Sequence, residues 1–416
     1  MSQTAEARMD EILDVTTQIG HIMLENGAEI FRVEESMERI SHHFGIDNSH
    51  FFVLSNGILT SGGMNYSNMD FIPFKGTQLE KVVAANDLSR GIVEGRYTLS
   101  QARQQIEAIK NMPPKPSIHQ VLATAVGSSS FCAIFGGNIM DCTASAVAGI
   151  ILWIFILWAS GRHITKISSN ILGSLIAGSF CLIFQRIGFG DHLANMIIGA
   201  TIPLFPGVSF TNGIRDLANE DYIAGSTRML DAMTIFISIA AGTALAFIID
   251  SKIEGSMMIL DKMQVDSITA LWPIQIAVGF LGTAAFAVVF GAPTKEYIST
   301  GICGMAGWIV YLIIQRNTQA SPFEINLLAS MAITFVSRIM AVNRKCPVIV
   351  YQICGILPLV PGAGIFWTSY YLVTQDFGQA LNNGVTALAV TLAIVMGIIL
   401  INAIPGRFFK KLSPRG

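Results

Sequence analysis

Long apolar runs in residues 118–416 constrain this chain more than any other feature. Ten stretches approach the length of about 20 mostly apolar residues that a helix needs to cross a membrane. They lie near residues 118–136, 143–161, 169–187, 192–208, 229–250, 271–291, 296–315, 323–342, 347–363 and 384–404. Charged residues make up only 13% of the chain, against about 25% in soluble domains. A wholly water-soluble fold is therefore excluded, and we predict ten transmembrane helices.

Residues 1–117 differ in composition from the rest of the chain. They hold 10 of the 26 Lys and Arg residues and 15 of the 28 Asp and Glu residues. Pro113, Pro114 and Pro116 mark the boundary, because proline ends helices and stiffens linkers. The periodicity predicts helices in 4–44, strand-like segments at 50–60 and 69–74, and helices at 79–91 and 99–111. We predict a small α+β domain over residues 1–117.

The loop charges predict an orientation in the membrane. If the N-terminus is cytoplasmic, the ten spans leave twelve Lys and Arg residues in the inside segments and four in the outside segments. Cytoplasmic loops are enriched in Lys and Arg, and one miscounted span would scramble this agreement. We therefore expect both termini to be cytoplasmic.

The apolar part contains an internal repeat at an offset of 155 residues. GSSSFCAIFG from Gly127 matches GTAAFAVVFG from Gly282, and IPLFPG from Ile202 matches LPLVPG from Leu357. We predict two five-helix repeats, at 118–250 and 271–416, joined by an extracytoplasmic loop at 251–270. An odd number of spans per copy inverts the second copy relative to the first. The expected fold is an all-α polytopic membrane domain of ten helices in two inverted five-helix repeats, preceded by the cytoplasmic α+β domain.

Each repeat contains a P-x-x-P-G element that indicates a broken helix. Proline removes an amide donor and clashes with the preceding turn. Backbone groups freed at membrane depth must face protein or a water-filled cavity, and paired interruptions in a repeat point to a substrate site. The alternative is a plain proline kink. The predicted substrate-binding residues are Pro203, Pro206, Gly207, Thr211, Asn212, Arg215, Pro358, Pro361 and Gly362.

Charged residues follow the break in the first repeat only. The guanidinium of Arg215 can pair with a substrate carboxylate. Asp216 or Asp231 can carry a coupling proton, because ionisable groups near the membrane interior are costly and usually functional. Two alternatives remain open: Arg228 and Asp231 pair at a helix end, or Arg215 is a topology-setting loop charge.

Standard cofactor and metal motifs are missing from the sequence. There is no Walker A, HExxH, GxSxG or GxGxxG sequence, and His42, His43 and His50 lack a metal-ligand spacing. The six Cys residues contain no CxxC pair. The net charge of −2 argues against a nucleic-acid partner. We expect no cofactor, no metal and no enzymatic activity.

Taken together, these residues resemble the threonine/serine exporter family. The matching motifs are a GA-x-x-x-RVE-like helix at Gly27–Glu34, a P-x-x-PG-x-x-x-T-N-x-x-RD-like segment at Pro203–Asp216, and a second P-x-x-PG at Pro358–Gly362. The resemblance implies proton-motive-force-linked export of small amino acids across a prokaryotic inner membrane. Within the first motif, Arg32 and Glu34 are candidates for gating or regulation. Related two-subunit members resemble exporters of C4 dicarboxylates.

We therefore expect a secondary exporter that works by alternating access, with its substrate between the two broken helices. Its partners would be a small amino acid or carboxylate, the lipid bilayer and protons, and a homo-oligomer is possible. Three alternatives stay open: an exporter of C4 dicarboxylates such as succinate, a membrane-anchored enzyme with a catalytic N-terminal domain, and a passive channel.

Overall fold

The computed structural model describes residues 3–62, 66–72, 76–162, 164–254, 266 and 268–412. The chain divides into two compact units. The first, here the N-terminal unit, comprises residues 1–114, 208–230 and 290–293. The second, here the helical unit, comprises residues 115–207, 231–289 and 294–416. The N-terminal unit thus includes a segment, 208–230, from the apolar part of the sequence.

The N-terminal unit is a small α+β assembly. Its elements are α1 (Gln3–Glu25), α2 (Ile30–His43), β1 (Ser49–Leu54), β2 (Gly57–Gly62), β3 (Tyr66–Phe71), α3 (Leu79–Val93) and α4 (Leu99–Lys110). The strands form an antiparallel sheet in the order β1-β2-β3. Strand β1 meets β2 at Ser55–Asn56, where Leu54 pairs with Gly57. The prediction of one strand over 50–60 was therefore wrong, because a two-residue turn divides it.

The core of this unit lies between the helices and one face of the sheet. Ile19, Val33 and Ile58 are fully buried there, and Ala224 of segment 208–230 joins the same cluster. Gly20 does not interrupt α1; a Cβ at Gly20 would lie 2.5 Å from the sulfur of Met37, so glycine permits close helix packing. The break comes at Gly27, whose φ of 96° favours glycine.

The remaining helices are α5 (Ser117–Ile134), α6 (Ile139–Ser160), α7 (Lys166–Arg186), α8 (Leu193–Thr201), α9 (Gly207–Ala218), α10 (Tyr222–Glu254), α11 (Trp272–Val289), α12 (Tyr297–Asn317), α13 (Pro322–Arg344), α14 (Ile349–Ile356), α15 (Gly362–Val373), α16 (Phe377–Asn402) and α17 (Gly406–Leu412). Seven helices in the described part of the chain are long and apolar enough to cross a membrane, or up to nine spans if each of two bent helix pairs counts as one.

The predicted count of ten spans is not confirmed. The first predicted span, 118–136, is the helix α5, but it is not among the seven helices that qualify by length and composition. Its sequence carries His119, Gln120, Thr124 and three serines at 128–130, and these polar residues lower its apolar character. The two bent pairs are α8 with α9 and α14 with α15, each bent by more than 40° at its break.

The secondary structure repeats at the offset of 155 residues. Shifting the bounds of α5 by 155 gives those of α11, and shifting those of α9 gives those of α15. A short 3-10 turn precedes each break, at Ile202–Leu204 and at Leu357–Leu359. Backbone hydrogen bonding repeats as well. Gly207 N–H donates to the Phe205 carbonyl over 2.8 Å, and Gly362 N–H donates to the Val360 carbonyl over 2.7 Å.

Equivalent helices of the two copies pack against each other in a reciprocal way. A Cβ at Gly127 would lie 2.8 Å from the Phe286 ring, and one at Gly282 would lie 3.2 Å from the Phe131 ring. The two rings meet edge to face with centroids 5.4 Å apart. Gly127 of α5 contacts Phe286 of α11, whereas Phe131, which comes later in α5, contacts Gly282, which comes earlier in α11. The two helices therefore run antiparallel.

Candidate functional site

The second helix break lines a cavity of about 410 Å³ inside the helical unit. Pro358 and Pro361 contribute to its wall. The other polar or aromatic lining residues are Phe135, Gln275, Trp308, Tyr311, Gln315, Arg316, Asn326 and Thr386. Freed backbone at this break therefore borders a partly polar space rather than hydrocarbon alone.

Gln275 is fixed at the edge of this cavity by three hydrogen bonds. Its Nε2 donates to the carbonyls of Ala133 and Thr269, each over 2.9 Å. Its Oε1 accepts from Trp308 Nε1, also over 2.9 Å. Gln275 is only 3% exposed, so these bonds offset the cost of burying an amide. The rigid Gln275–Trp308 pair holds one wall of the cavity in place.

Arg316 is the charged member among the described lining residues. It donates to the Ala270 carbonyl, and its guanidinium lies 5.2 Å from the centre of the Trp272 ring. Nearby, Trp308 stacks on Tyr311 with ring centres 4.6 Å apart. A single cation beside amides and aromatic rings suits a small solute with one carboxylate.

A second, apolar groove of about 710 Å³ lies among α10, α15 and α16. Pro361 borders both spaces. The groove is lined by Met233, Phe236, Ile237, Ala240, Ile365, Thr368, Leu372, Phe377, Leu381, Val385, Leu388 and other small or apolar residues. Because it offers almost no hydrogen-bonding groups, it does not suit a polar solute.

The first break shares the local geometry of the second. Pro203 lies in the 3-10 turn at Ile202–Leu204, and Phe205 and Pro206 separate this turn from α9. Phe205 is buried against Gly362 of the second break: a Cβ at Gly362 would lie 2.9 Å from the Phe205 ring. The predicted residues Pro203, Pro358, Pro361 and Gly362 thus lie within one unit of the molecule.

A cluster of buried ion pairs holds the N-terminal unit together. The guanidinium of Arg215 pairs with the carboxylate of Glu29, whose side chain is 2% exposed. Arg228 NH1 lies 2.9 Å from Asp216 Oδ2. Arg32 Nε lies 3.7 Å from the second oxygen of Glu29. The predicted residues Arg215 and Asp216 therefore engage protein partners in this conformation.

Hydrogen bonds join the same two segments around Gly27. Asn212 Nδ2 donates to the Gly27 carbonyl over 2.8 Å, and Arg228 NH2 donates to the Ala28 carbonyl over 3.0 Å. The Ile30 N–H lies 3.4 Å from Asp216 Oδ1. Residues 27–32 and 208–230 are thus locked together by charge and backbone contacts, and we call this set of residues the ion-pair cluster.

Two polar atoms of uncharged side chains within the ion-pair cluster are unsatisfied in the described structure. Thr211 Oγ1 and Asn212 Oδ1 are buried and have no hydrogen-bond partner among the described residues. Thr211 is fully buried and Asn212 is 1% exposed. Buried polar atoms are usually paired, so each such exception calls for an explanation.

Asp231 lies apart from these groups. Its carboxylate accepts from Lys166 Nζ over 2.7 Å within the helical unit. Both side chains are more than one-third exposed. Arg228 pairs with Asp216, and Asp231 pairs with Lys166.

The proposed gating residues lie on α2. Arg32 NH1 donates to Glu35 over 3.1 Å, and Glu34 Oε1 accepts from the Val53 N–H over 3.1 Å. Burial raises the pKa of the Glu34 carboxyl, and the bond from Val53 partly opposes this rise. Glu34 thus ties α2 to β1.

Sequence reasoning missed two buried carboxylates in the helical unit. Asp141, fully buried, contacts the ring of His192, and Glu296, 1% exposed, contacts Tyr351 and Arg344. The two acids lie 155 residues apart, so the repeat offset itself was a signal for them. No group of three or more His, Cys, Asp or Glu residues suited to a metal ion occurs within the described ranges.

Comparison with known families covers nearly the whole chain. A family model described as "Putative threonine/serine exporter" matches residues 14–249, and one described as "Threonine/Serine exporter, ThrE" matches residues 275–404. The chain belongs to the threonine/serine exporter family. The resemblance seen in the sequence is thereby confirmed. The first match includes the ion-pair cluster, and the second includes the cavity residues from Gln275 to Val390.

Two curated relatives agree with this family assignment. A "Probable threonine/serine exporter" of Mycobacterium tuberculosis (strain ATCC 25618 / H37Rv) is 21% identical over 94% of this chain and 76% of its own length. A "Threonine/serine exporter" of Corynebacterium glutamicum is 18% identical over 95% of this chain and 83% of its own length. No solved structure matches the chain. Family and apolar helices together indicate a multi-pass membrane protein that handles a small-molecule substrate.

Proposed function

We propose that this protein is a secondary exporter of small amino acids of the threonine and serine class, driven by the proton motive force. The observation that carries this proposal is the cavity at the second helix break. It combines one cation, three amides and stacked aromatic rings beside interrupted backbone. These groups suit the carboxylate and the polar side chain of a small amino acid, while the carbonyls of a helix break suit its ammonium group.

The charge of the cavity favours an amino acid over a C4 dicarboxylate. Arg316 is the lining cation within the described residues, and one guanidinium satisfies one carboxylate. A dicarboxylate would leave its second carboxylate without a positive partner among the described lining residues. We therefore place succinate-like solutes second.

We propose that the membrane part consists of two inverted repeats that alternate access to this cavity. The shared bounds of α5 and α11, the matching breaks and the antiparallel packing of α5 on α11 support this arrangement. Inverted repeats with interrupted helices are common in secondary transporters. The loop charges favour cytoplasmic termini in a prokaryotic inner membrane.

The ion-pair cluster would act as the cytoplasmic latch of this exporter. Its helix α9 follows directly after the first break at Pro206, so a change at the break is passed to Arg215 and Asp216 along one short helix. Release of Glu29 would free Arg215 to meet a substrate carboxylate, and release of Arg228 would free Asp216 to take a proton. Arg32 and Glu34 would regulate this release from α2.

Transport into proteoliposomes tests the function. Purified protein is reconstituted, and uptake of radiolabelled threonine, serine and succinate is followed under an imposed pH gradient. We expect threonine and serine to accumulate and a protonophore to abolish accumulation. Accumulation of succinate alone would overturn the amino-acid assignment, and protonophore-insensitive equilibration would indicate a passive channel.

Arg316 offers a direct test of the cavity. Arg316→Gln should raise the KM for threonine about tenfold or more, because charged hydrogen bonds contribute roughly 1.5–3 kcal/mol. The matched control is Arg162→Gln. Arg162 also lies over a tryptophan ring, at 4.2 Å from that of Trp158, and donates to a backbone carbonyl, but it lines neither cavity. Equal effects of the two variants would remove Arg316 from substrate binding.

A further inference from the structure

The carboxylate of Asp141 is fully buried and surrounded by donors. Its Oδ1 accepts from the backbone N–H groups of Asp191, over 2.7 Å, and His192, over 3.0 Å. Its Oδ2 accepts from the Asn138 N–H, over 2.8 Å, and contacts His192 Nδ1 at 2.6 Å. A protonated carboxyl group would need an acceptor for its own hydrogen, and three of these four contacts are N–H donors. Asp141 therefore acts as an acceptor in three of its four contacts.

This arrangement fixes the hydrogen on the ring of His192. When Asp141 Oδ2 accepts in this contact, Nδ1 carries the hydrogen and donates it. Nε2 is then the nitrogen that gains or loses a proton. The ring is 21% exposed, so it is near water while its partner is not. Histidine changes charge between pH 5 and 8, the range of a transmembrane pH gradient.

The equivalent acid in the second repeat has a different partner. Glu296 Oε2 accepts from the hydroxyl of Tyr351 over 2.7 Å and from Arg344 Nε over 3.2 Å. Arginine stays charged at every physiological pH. The buried acid of the second repeat thus has a permanent cation as a partner, whereas that of the first repeat contacts an imidazole, which is a cation only when protonated.

The two acids lie at opposite ends of the helical unit. Asp141 lies in the first turn of α6, just after α5 ends. The segment that precedes α11 contacts the same end, where Asp266 N–H donates to the Gly136 carbonyl. Glu296 lies between the end of α11 and the start of α12. Under the orientation that the loop charges favour, Asp141 and His192 face the extracytoplasmic side.

Other titratable groups at the Asp141 end have partners of their own. They are Asp191, which accepts from Asn138 Nδ2; Arg186 of α7, which pairs with Asp250 of α10; Asp266, which accepts from the N–H groups of Ile268 and Thr269; and the buried thiols of Cys132 and Cys142. The 2.6 Å contact of His192 is with Asp141 alone among these acids.

We propose that His192, oriented by Asp141, is the proton-binding site on the extracytoplasmic side of this exporter. A proton from the outer solution binds Nε2, forms an imidazolium beside the Asp141 anion, and leaves from the same nitrogen after the transporter has changed conformation. No covalent bond between heavy atoms changes. The inference rests on the proposed export function and adds a proton-binding residue on the extracytoplasmic side to Asp216 of the ion-pair cluster.

The test compares two transport modes in proteoliposomes. Counterflow exchanges internal for external threonine and needs no net proton movement, whereas accumulation driven by a pH gradient does. His192→Asn keeps an amide donor for Asp141 but cannot titrate. We expect this variant to retain counterflow close to the wild-type rate and to lose pH-driven accumulation. The matched control, His119→Gln on the exposed surface of α5, should retain both modes.

Each outcome decides the proposal. If His192→Asn still accumulates threonine in a pH gradient, His192 is not the proton site. If both His192→Asn and His192→Gln lose counterflow as well, the Asp141–His192 pair is a structural cap and the proposal fails. If the wild-type protein shows counterflow but no pH-driven accumulation, proton coupling itself fails. If it shows neither mode for threonine, serine or succinate, the export function fails and this inference with it.

Discussion

The two helix breaks share one backbone geometry but carry different chemistry. Each has a 3-10 turn, two intervening residues and a new helix at the same offset. After the first break, α9 carries Arg215 and Asp216 into the ion-pair cluster. After the second, α15 carries an aromatic cluster that includes Trp367, Tyr370 and Tyr371. Repetition thus preserves the local backbone geometry, while the side chains differ: we propose a latch after the first break and a substrate cavity at the second.

The largest expected effect comes from opening the ion-pair cluster. Arg215→Gln leaves Glu29 buried without its main partner, so we expect the unfolding free energy to fall by ~3–5 kcal/mol. Thermal unfolding in detergent measures this. The control is Lys166→Gln, which breaks an exposed pair worth only ~0–1 kcal/mol.

A double variant separates stability from transport at the same place. Glu29→Gln combined with Arg215→Gln removes both buried charges and should recover much of the lost stability. If transport stays lost in this stable double variant, Arg215 acts in transport. Restored transport would reduce Arg215 to a structural role.

The next effect tests the equivalence of the two repeats. A Cβ at Gly242 would lie 2.0 Å from Ser174 Oγ, and one at Gly397 would lie 2.0 Å from Ser330 Oγ. We expect Gly242→Ala and Gly397→Ala each to destabilise the protein by ~1–3 kcal/mol through overpacking, measured as the melting temperature in detergent. Gly406→Ala is the control, since no atom lies within 4 Å of its Cβ. A large effect in one repeat alone would break the equivalence.

Two tryptophans at equivalent positions of the repeats, Trp153 and Trp308, differ in their hydrogen bonding. Trp308 Nε1 donates to Gln275 in the cavity wall, whereas the equivalent Trp153 Nε1 is buried without a hydrogen-bond partner among the described residues. Trp308→Phe should cost ~1–3 kcal/mol more than Trp153→Phe, because it leaves the Gln275 oxygen unpaired. Equal melting temperatures for the two variants would contradict this.

The smallest effect is a pH dependence at Glu34. Burial raises the pKa of this carboxyl in the folded state. Burying the ionised form therefore lowers the free energy of unfolding at a pH above the unfolded-state pKa. This loss of stability disappears as the pH falls below that value. Glu34→Gln should therefore raise stability at neutral pH by less than ~1 kcal/mol, and the gain should vanish in acid. A melting-temperature series across pH checks this; a gain that grows in acid would reverse the sign.

Local patterns in the sequence predicted much of the fold. The proline breaks and the helices of the polar segment depend on neighbours within a few turns, the repeat offset follows from comparing two segments of the sequence, and the structure contains each of them. The predicted span at α5 is not confirmed, because its polar residues bring its composition close to that of a buried soluble helix. Its antiparallel packing against α11 was only implied by counting spans.

Long-range pairing is what the sequence did not reveal. Arg215 and Glu29 are 186 residues apart, and Asp141 and His192 are 51 apart. A charge pattern within one segment does not identify such partners, so α9 was interpreted through its own charges alone. The comparison of equivalent positions was the available clue, because it aligns Asp141 with Glu296.

Opposite orientation of the two halves is the central claim, and cysteine labelling on intact cells tests it most directly. Arg162 and Asn317 are exposed residues at equivalent positions, and the six native cysteines are buried. An impermeant maleimide should label Asn317→Cys from outside, and should label Arg162→Cys only after the cells are opened. Labelling of both positions from the same side would contradict the account.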